Sequence, residues 1–281
     1  MSKDVNMTGF KDSGAPPFRH FLKRLSYTLL PGHCVACSRP SLRPLDLCAT
    51  CESDLPTLGN HCAVCAVPIM PASFTQTTAP VRETATIQTD KAPGETIRLH
   101  CSTCIKRPPA FAHIHTPYLY QAPIDRLLWR FKFSGDLVAG KVLGQLLARS
   151  IKAQNLEMPD GLIPVPLHWR RRFGRGFNQA RELSNTLGKA LNIPRYNDLL
   201  GRAAHTPTQQ GLNRQQRQRN LRRAFELKPA AGQSFLEGKS FVIVDDIVTT
   251  CSTADTIAAL LLKGGAAEVR VWAVARTPLA N

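Results

Sequence analysis

Two groups of residues in this chain have types and spacings that can do chemistry. The first is eight of its nine cysteines, which fall into four Cys-x-x-Cys pairs: Cys34/Cys37, Cys48/Cys51, Cys62/Cys65 and Cys101/Cys104. The second is FVIVDDIVTTCSTADT, residues 241–256. There an apolar run meets two adjacent acids, then a turn rich in Thr and Ser, then a helical pattern.

A Cys-x-x-Cys knuckle supplies two neighbouring corners of a tetrahedron from one tight turn. Two knuckles complete one closed site, so four knuckles predict two structural Zn2+ sites, with Cys34, Cys37, Cys48, Cys51, Cys62, Cys65, Cys101 and Cys104 as ligands. A closed site of four thiolates leaves no coordination position for substrate, and zinc does no redox chemistry. Such a site can contribute on the order of 10 kcal/mol to folding. That is enough to hold roughly 70 residues with little core of their own. The sequential pairing joins the first knuckle to the second and the third to the fourth; the crossed pairing stays open. A disulfide framework fits an unexported chain poorly. A thioredoxin-like redox site would use one such pair beside a strand. An iron–sulfur cluster also takes four cysteines, and spacing alone does not separate the two.

In the second group, an apolar strand runs to Val244 and Asp245 and Asp246 follow it. Ligands of parallel sheets bind beyond the carboxyl ends of strands. Carboxylates there accept hydrogen bonds from vicinal sugar hydroxyls. Thr249, Thr250, Cys251, Ser252 and Thr253 then offer successive backbone N–H groups and hydroxyls at a helix N-terminus, which favours an anion. One end of the segment therefore suits ribose hydroxyls and the other a 5′-phosphate.

The elements that must position these residues follow from periodicity. HTPYLY (115–120), LIPVP (162–166), FVIV (241–244) and VRVWAV (269–274) read as strands. Residues 124–133, 137–152 and 179–191 read as helices, as does the stretch carrying Ala254, Ile257, Ala258 and Leu261, which Gly264-Gly265 stops. Strand and helix alternating at these intervals predict an α/β fold, a doubly wound and mostly parallel sheet. Ahead of it stands a small N-terminal zinc-ribbon region. The expected organisation is a lead-in over 1–31, a double zinc ribbon over 32–110 and the sheet domain over 111–281. The lead-in has an amphipathic pattern at Phe21, Leu22, Leu25 and Leu29. Residues 66–99, with seven Thr and four Pro, read as an insertion or long loop.

The net charge of +16 is concentrated. Residues 168–181 carry five Arg and no acid, and residues 201–223 carry six Arg and no acid. Such clusters attract phosphates, on a small molecule or on single-stranded DNA. Neither segment has the repeated aromatics of a base-stacking platform. No apolar run approaches the length that spans a bilayer, and no secretory signal is readable. A cytoplasmic location is expected. His113, His115, His168 and His205 are scattered and receive no role.

An apolar strand, two acids and a Thr/Ser-rich turn into a helix resemble the phosphoribosyl pyrophosphate (PRPP) motif of type I phosphoribosyltransferases. PVPLHWRRRFGRGFNQAREL (164–183) is similar to the PVP…RGFNQ signature of the ComF/GntX family, and HTPTQQGLNRQQRQRNLRRAF (205–225) to a further segment of that family. The resemblance runs along nearly the whole chain; the 66–99 insertion departs from it. It implies a phosphoribosyltransferase-type domain behind a double zinc ribbon, and a link to natural competence and the use of external DNA. It also implies that PRPP, accompanied by Mg2+, or a nucleotide is the ligand, with proteins of a DNA-uptake machinery as partners. Asp245 and Asp246 take the catalytic position at the ribose hydroxyls, and Thr249, Thr250, Cys251, Ser252 and Thr253 hold the 5′-phosphate. Arg175 and Gly176 fall where the family fold puts the pyrophosphate loop. Residues 202–223 correspond by order to a lid to which Arg214, Arg217 and Arg222 bring charge. Two readings follow: an enzyme that transfers phosphoribose with release of pyrophosphate, or a binding protein that senses nucleotides or holds single-stranded DNA.

The family turn usually carries Gly where Cys251 stands. If the position needs φ > 0, the turn is strained. If it does not, Cys is a small and tolerable replacement.

Overall fold

The computed structural model describes residues 32–69, 99–167, 176–202, 224–228 and 233–278. The chain divides into two compact units between Glu52 and Ser53.

In the first unit, Cys34–Pro40 forms a knuckle. The Ser38 N–H donates to Cys34 O at 2.8 Å, and His33 bridges Pro40. Ser38 sits at φ 63. Arg43 pairs with Glu52. The short helix α1 (Ala49–Ser53) begins one residue after Cys48.

The second unit repeats the same device. The Ala66 N–H donates to Cys62 O at 2.8 Å, His61 bridges Pro68, and Ala66 sits at φ 55. Here the helix is α2 (Ser102–Lys106), one residue after Cys101. The two halves share HCxxCxxP for the knuckle and CxTC for the helix start.

After α2 come β1 (Ile114–His115) and β2 (Tyr118–Leu119), then α3 (Ile124–Phe133), α4 (Leu137–Ala153), β3 (Gly161–Pro164) and α5 (Gln179–Leu191). A small antiparallel pair, β4 (Leu200–Arg202) and β5 (Phe225–Leu227), precedes α6 (Gln233–Leu236). The chain continues through β6 (Ser240–Val248), α7 (Ser252–Lys263) and β7 (Glu268–Arg276). The sheet order is β1-β7-β6-β3, with β2 also on β7, and every pairing in it is parallel.

Helices cover both faces, as a doubly wound sheet requires. Phe241 and Ile243 of β6 pack with Val269, Val271 and Ala273 of β7 and with Ile257, Ala258 and Leu261 of α7. Side chains alternate along a strand, so Val242, Val244 and Trp272, all fully buried, face the other way. That face is covered by α4 on β7 and by α5 on β6 and β3. Helix α3 buries Ile124, Leu127, Leu128 and Phe131, an i, i+3, i+4, i+7 stripe. Asp136 caps α4 by accepting from the Ala139 N–H at 2.9 Å. Gly144 lets α4 and α5 approach closely, because a Cβ there would stand 2.8 Å from Thr186 Cβ.

The expected helices match closely. The strand HTPYLY is broken into two pieces at Thr116-Pro117, since proline has no N–H for a ladder. The expected strand end at Val244 is corrected: β6 runs on to Val248, pairing Asp245 with Ala273 and Val248 with Arg276. The acids thus belong to the strand and not to the turn after it. Apolar residues at Ile247 and Val248, together with the partner β7, carry the ladder past them. The lead-in pattern over 1–31, most of the 66–99 segment, Arg175, His168, His205, Arg214, Arg217 and Arg222 lie outside the described residues. No helix among the described residues is long and apolar enough to cross a membrane.

Candidate functional site

The eight knuckle cysteines assemble into two tetrads, Cys34/Cys37/Cys48/Cys51 and Cys62/Cys65/Cys101/Cys104, each with all its sulfurs within 4.8 Å of one another. The pairing is the sequential one. Cys37 Sγ and Cys48 Sγ are 3.8 Å apart, and Cys65 Sγ and Cys101 Sγ are 3.6 Å apart. Four sulfurs at the Zn–S distance of about 2.3 Å around one tetrahedral ion stand about 3.8 Å from each other. The tetrads therefore fit a single ion each. A multi-iron cluster would hold its thiolates further apart, because iron and sulfide lie between them. All four sulfurs of the second tetrad are buried, and they join the apolar cluster between sheet and α7.

The acid pair stands near the carboxyl end of β6, with Asp246 two residues before its last residue, Val248. Asp245 and Asp246 are half-buried, and the Asp246 N–H donates to Asp245 Oδ1 at 2.8 Å. Burial, and then the neighbouring Asp246 charge, push the Asp245 carboxyl up to about 7. Lys132, from the last turn of α3, sets its Nζ 3.0 Å from Asp246 Oδ1 and opposes that rise. A lone Lys on a helix face gave no sign of this pairing in the sequence.

Six residues beyond Asp246 the chain enters α7 at Ser252. Thr249 and Thr250 are exposed; Cys251, Ser252 and Thr253 are half-exposed. Thr250 Oγ1 and Ser252 Oγ lie 3.1 Å apart. Cys251 is the N-cap of α7 at φ 62, ψ −6, and its side chain makes no capping hydrogen bond. The first helical bond here is Asp255 N–H to Cys251 O at 2.9 Å. The N–H groups of the first turn precede any intrahelical acceptor and face outward from the helix end. An anion is the natural partner of such a terminus. Position 251 does need φ > 0, so the first of the two alternatives for this turn holds and the cysteine is strained.

The thiol of Cys251 has left the anion side. Arg276 Nη2 lies 3.9 Å from Cys251 Sγ. Arg276, the last residue of β7, is buried. It donates from Nε to Cys65 O at 3.0 Å and from Nη1 to Thr249 O at 2.6 Å. As one Arg in an alternating strand, it carried no signal in the sequence.

Gly176 is at φ 74, just ahead of α5, and no described residue other than its chain neighbours stands within 4 Å of a Cβ placed on it. Asn178 caps α5 through Oδ1, which accepts from the Ala180 N–H at 3.0 Å, and its Nδ2 donates to Val165 O at 3.0 Å. The Asn of RGFNQ thus ties the start of α5 to Val165, the residue after β3. The structure brings together the acid pair, Lys132, the Thr/Ser turn and the second cysteine tetrad's Cys65. The first tetrad belongs to the other unit.

Residues 25–81 match the family described as Double zinc ribbon domain. Competence protein F of Haemophilus influenzae is 36% identical over 181 residues, covering 63% of this chain and 78% of that protein. DNA utilization protein YhgH of Escherichia coli O157:H7 is 34% identical over 253 residues, covering 88% of this chain and 98% of that protein. Among solved structures, the glutamine PRPP amidotransferase of B. subtilis, complexed with ADP and GMP, aligns at TM-score 0.33 and 22% identity over 48% of this chain and 25% of that one. The purine phosphoribosyltransferase of Pyrococcus horikoshii aligns at TM-score 0.29 and 20% identity over 49% and 81%.

Proposed function

Because this chain belongs to the ComF/GntX family, we propose that it binds PRPP, or a nucleotide carrying ribose 5-phosphate, at the carboxyl end of β6. One observation carries the reading: two carboxylates near the end of a strand are followed, six residues on, by a helix N-terminus that its own N-cap residue leaves uncapped. Asp245 and Asp246 would accept hydrogen bonds from the ribose hydroxyls. The N–H groups and hydroxyls of residues 249–253 would hold the 5′-phosphate. Lys132 would offset the negative charge of the acid pair and limit repulsion between the two acids.

In transfer, the bond from C1 to pyrophosphate breaks and positive charge develops on the ribose. Asp245 and Asp246 stand where they would orient the hydroxyls next to that charge. Mg2+ arriving with PRPP would share the charge of the leaving pyrophosphate. Gly176, at a φ of 74 that favours glycine, supports a pyrophosphate loop there. The names of the relatives, competence and DNA utilization, support a role alongside DNA-uptake proteins.

Isothermal titration calorimetry with PRPP and with ribose 5-phosphate tests the reading. Binding by the wild type, lost by about 100-fold or more in the Asp245→Asn/Asp246→Asn double variant, is expected; equal binding by both chains would overturn it. Pyrophosphate release from PRPP across a panel of bases separates transfer from binding alone. A second reading rests on the Arg-rich segments 168–181 and 201–223: single-stranded DNA as a further ligand. Its affinity would fall steeply with salt, and a salt-independent affinity would exclude it.

A further inference from the structure

We propose that Arg276 is a positioning residue that couples the second cysteine tetrad to the β6–α7 turn, so that the ion held by the tetrad fixes the shape in which the turn meets a phosphate. The phosphate part of this statement rests on the function proposed above; the coupling does not.

Arg276 is 2% exposed at the end of β7. Burying a guanidinium is costly unless its donors are satisfied. Here Nε donates to Cys65 O at 3.0 Å, and Nη1 to Thr249 O at 2.6 Å, Val248 O at 3.2 Å and Thr277 O at 2.8 Å. Nη2 reaches Cys251 Sγ at 3.9 Å. Among the described residues its acceptors are carbonyls, the Thr277 hydroxyl and a thiol, with no carboxylate. What the planar fork provides is simultaneous reach to two sequence-distant segments. One is the knuckle that closes the tetrad. The other is the turn that precedes α7.

The turn needs such a hold. Its N-cap residue is Cys251, in the left-handed region and without a capping side-chain bond. A second tie runs alongside: the Ala110 N–H, on the segment leaving α2, donates to Asp255 Oδ1 in the first turn of α7 at 2.7 Å. The tetrad is therefore fastened to both sides of the turn, and thiolates drawn together by an ion would hold Cys65 O where Arg276 meets it.

Amide hydrogen exchange on the zinc-loaded full chain reads this without any ligand. In Arg276→Met, exchange should speed at least about tenfold in peptides covering 62–66 and 248–256, as the loss of charge-assisted hydrogen bonds implies. The first-tetrad peptide 34–48 should exchange as in the wild type. Arg276→Lys keeps the charge but not the fork; it should slow exchange at one segment and not at both. Chelating zinc from the wild type should speed exchange at 248–256, and do so less in Arg276→Met, where the Arg276 link is already cut and only the Ala110–Asp255 tie remains. Unchanged exchange at 248–256 in Arg276→Met, or chelation that leaves 248–256 of the wild type untouched, would overturn the coupling. Added ribose 5-phosphate should protect 248–256. If it protects nothing while the exchange pattern above holds, the phosphoribose reading fails and the coupling stands.

Discussion

Lys132 Nζ lies 3.0 Å from Asp246 Oδ1, with both side chains largely buried, at 19% and 13% exposure. The last turn of a helix thus delivers a cation to an acid pair on a strand more than a hundred residues later. Without Lys132 the two carboxylates would face each other's charge alone, and Asp245 would hold its proton to higher pH. Lys132→Met should weaken ribose 5-phosphate binding about tenfold at pH 7. Part of the loss should return at about pH 8.5, where Asp245 ionises regardless. Calorimetry at the two pH values checks this; an equal loss at both would mean that Lys132 touches the ligand directly.

The Asp245 carboxyl, pushed up to about 7 by burial and then by the Asp246 charge, accepts hydroxyl hydrogen bonds best when ionised. Affinity for ribose 5-phosphate should rise as pH passes through about 7. The phosphate itself titrates near about pH 6, so the wild-type profile contains two steps. Asp245→Asn should keep the lower step and lose the upper one. A profile unchanged in that variant would remove Asp245 from the ribose.

Local periodicity made much of the fold legible. The stripe at Ile124, Leu127, Leu128 and Phe131 marks α3, and Ala254, Ile257, Ala258 and Leu261 mark α7. The knuckle spacing marked all eight ligands and two sites; which knuckles pair depends on how the chain folds between them, and the fold joins first with second and third with fourth. What stayed hidden depends on tertiary contact. β6 continues through Asp245 and Asp246 because β7 pairs with it there, which acids in a sequence argue against. β4 and β5 are three residues each, too short for any period. Lys132 and Arg276 each read as one basic residue among many; only the folded chain sets one against Asp246 and the other against Cys65.

Metal content follows from the two tetrads. Protein purified without chelator should carry two zinc ions per chain, and Cys37→Ser or Cys101→Ser should each lower that by about one. The consequences differ. Cys62, Cys65, Cys101 and Cys104 belong to the apolar core of the sheet unit, so stripping the second site should lower that unit's unfolding temperature sharply, on the scale of a structural site worth about 10 kcal/mol. Elemental analysis and calorimetric melting of the variants check both. A melting transition of the sheet unit that is indifferent to chelator would argue against a structural ion there.

His115 is buried, pairs through Nε2 with Ser150 Oγ at 3.1 Å, and is pushed down to about 4 by burial, with the His113 and His61 charges adding to it. A histidine kept neutral in the fold but free to protonate when unfolded stabilises the protein above its unfolded value near about 6.5. That stability is lost as pH falls from about 6.5 to about 4, by about 3 kcal/mol in all. Asp245 runs the other way over the same range: its raised value favours the folded, protonated form as pH falls. The His115 contribution is therefore read as the difference between wild type and His115→Gln in denaturant unfolding, which should shrink as the pH is lowered. A difference constant from about pH 7 to about pH 4.5 would show that His115 titrates normally.

Cys251 occupies a backbone conformation suited to glycine, at φ 62, yet its thiol meets Arg276 and Cys65. Strain and contact can be separated. Cys251→Ala keeps the strained backbone and loses the thiol, so it should destabilise the chain. Cys251→Gly loses the thiol too but relieves the strain, so it should be more stable than Cys251→Ala by about 1 kcal/mol. That difference, measured by denaturant unfolding of the zinc-loaded chain, reads the left-handed conformation alone. Since the thiol points to the tetrad and not to the helix end that faces an anion, Cys251→Gly should bind ribose 5-phosphate at least as tightly as the wild type. Weaker binding by Cys251→Gly together with tight binding by Cys251→Ser would instead put the side chain at position 251 in contact with the phosphate.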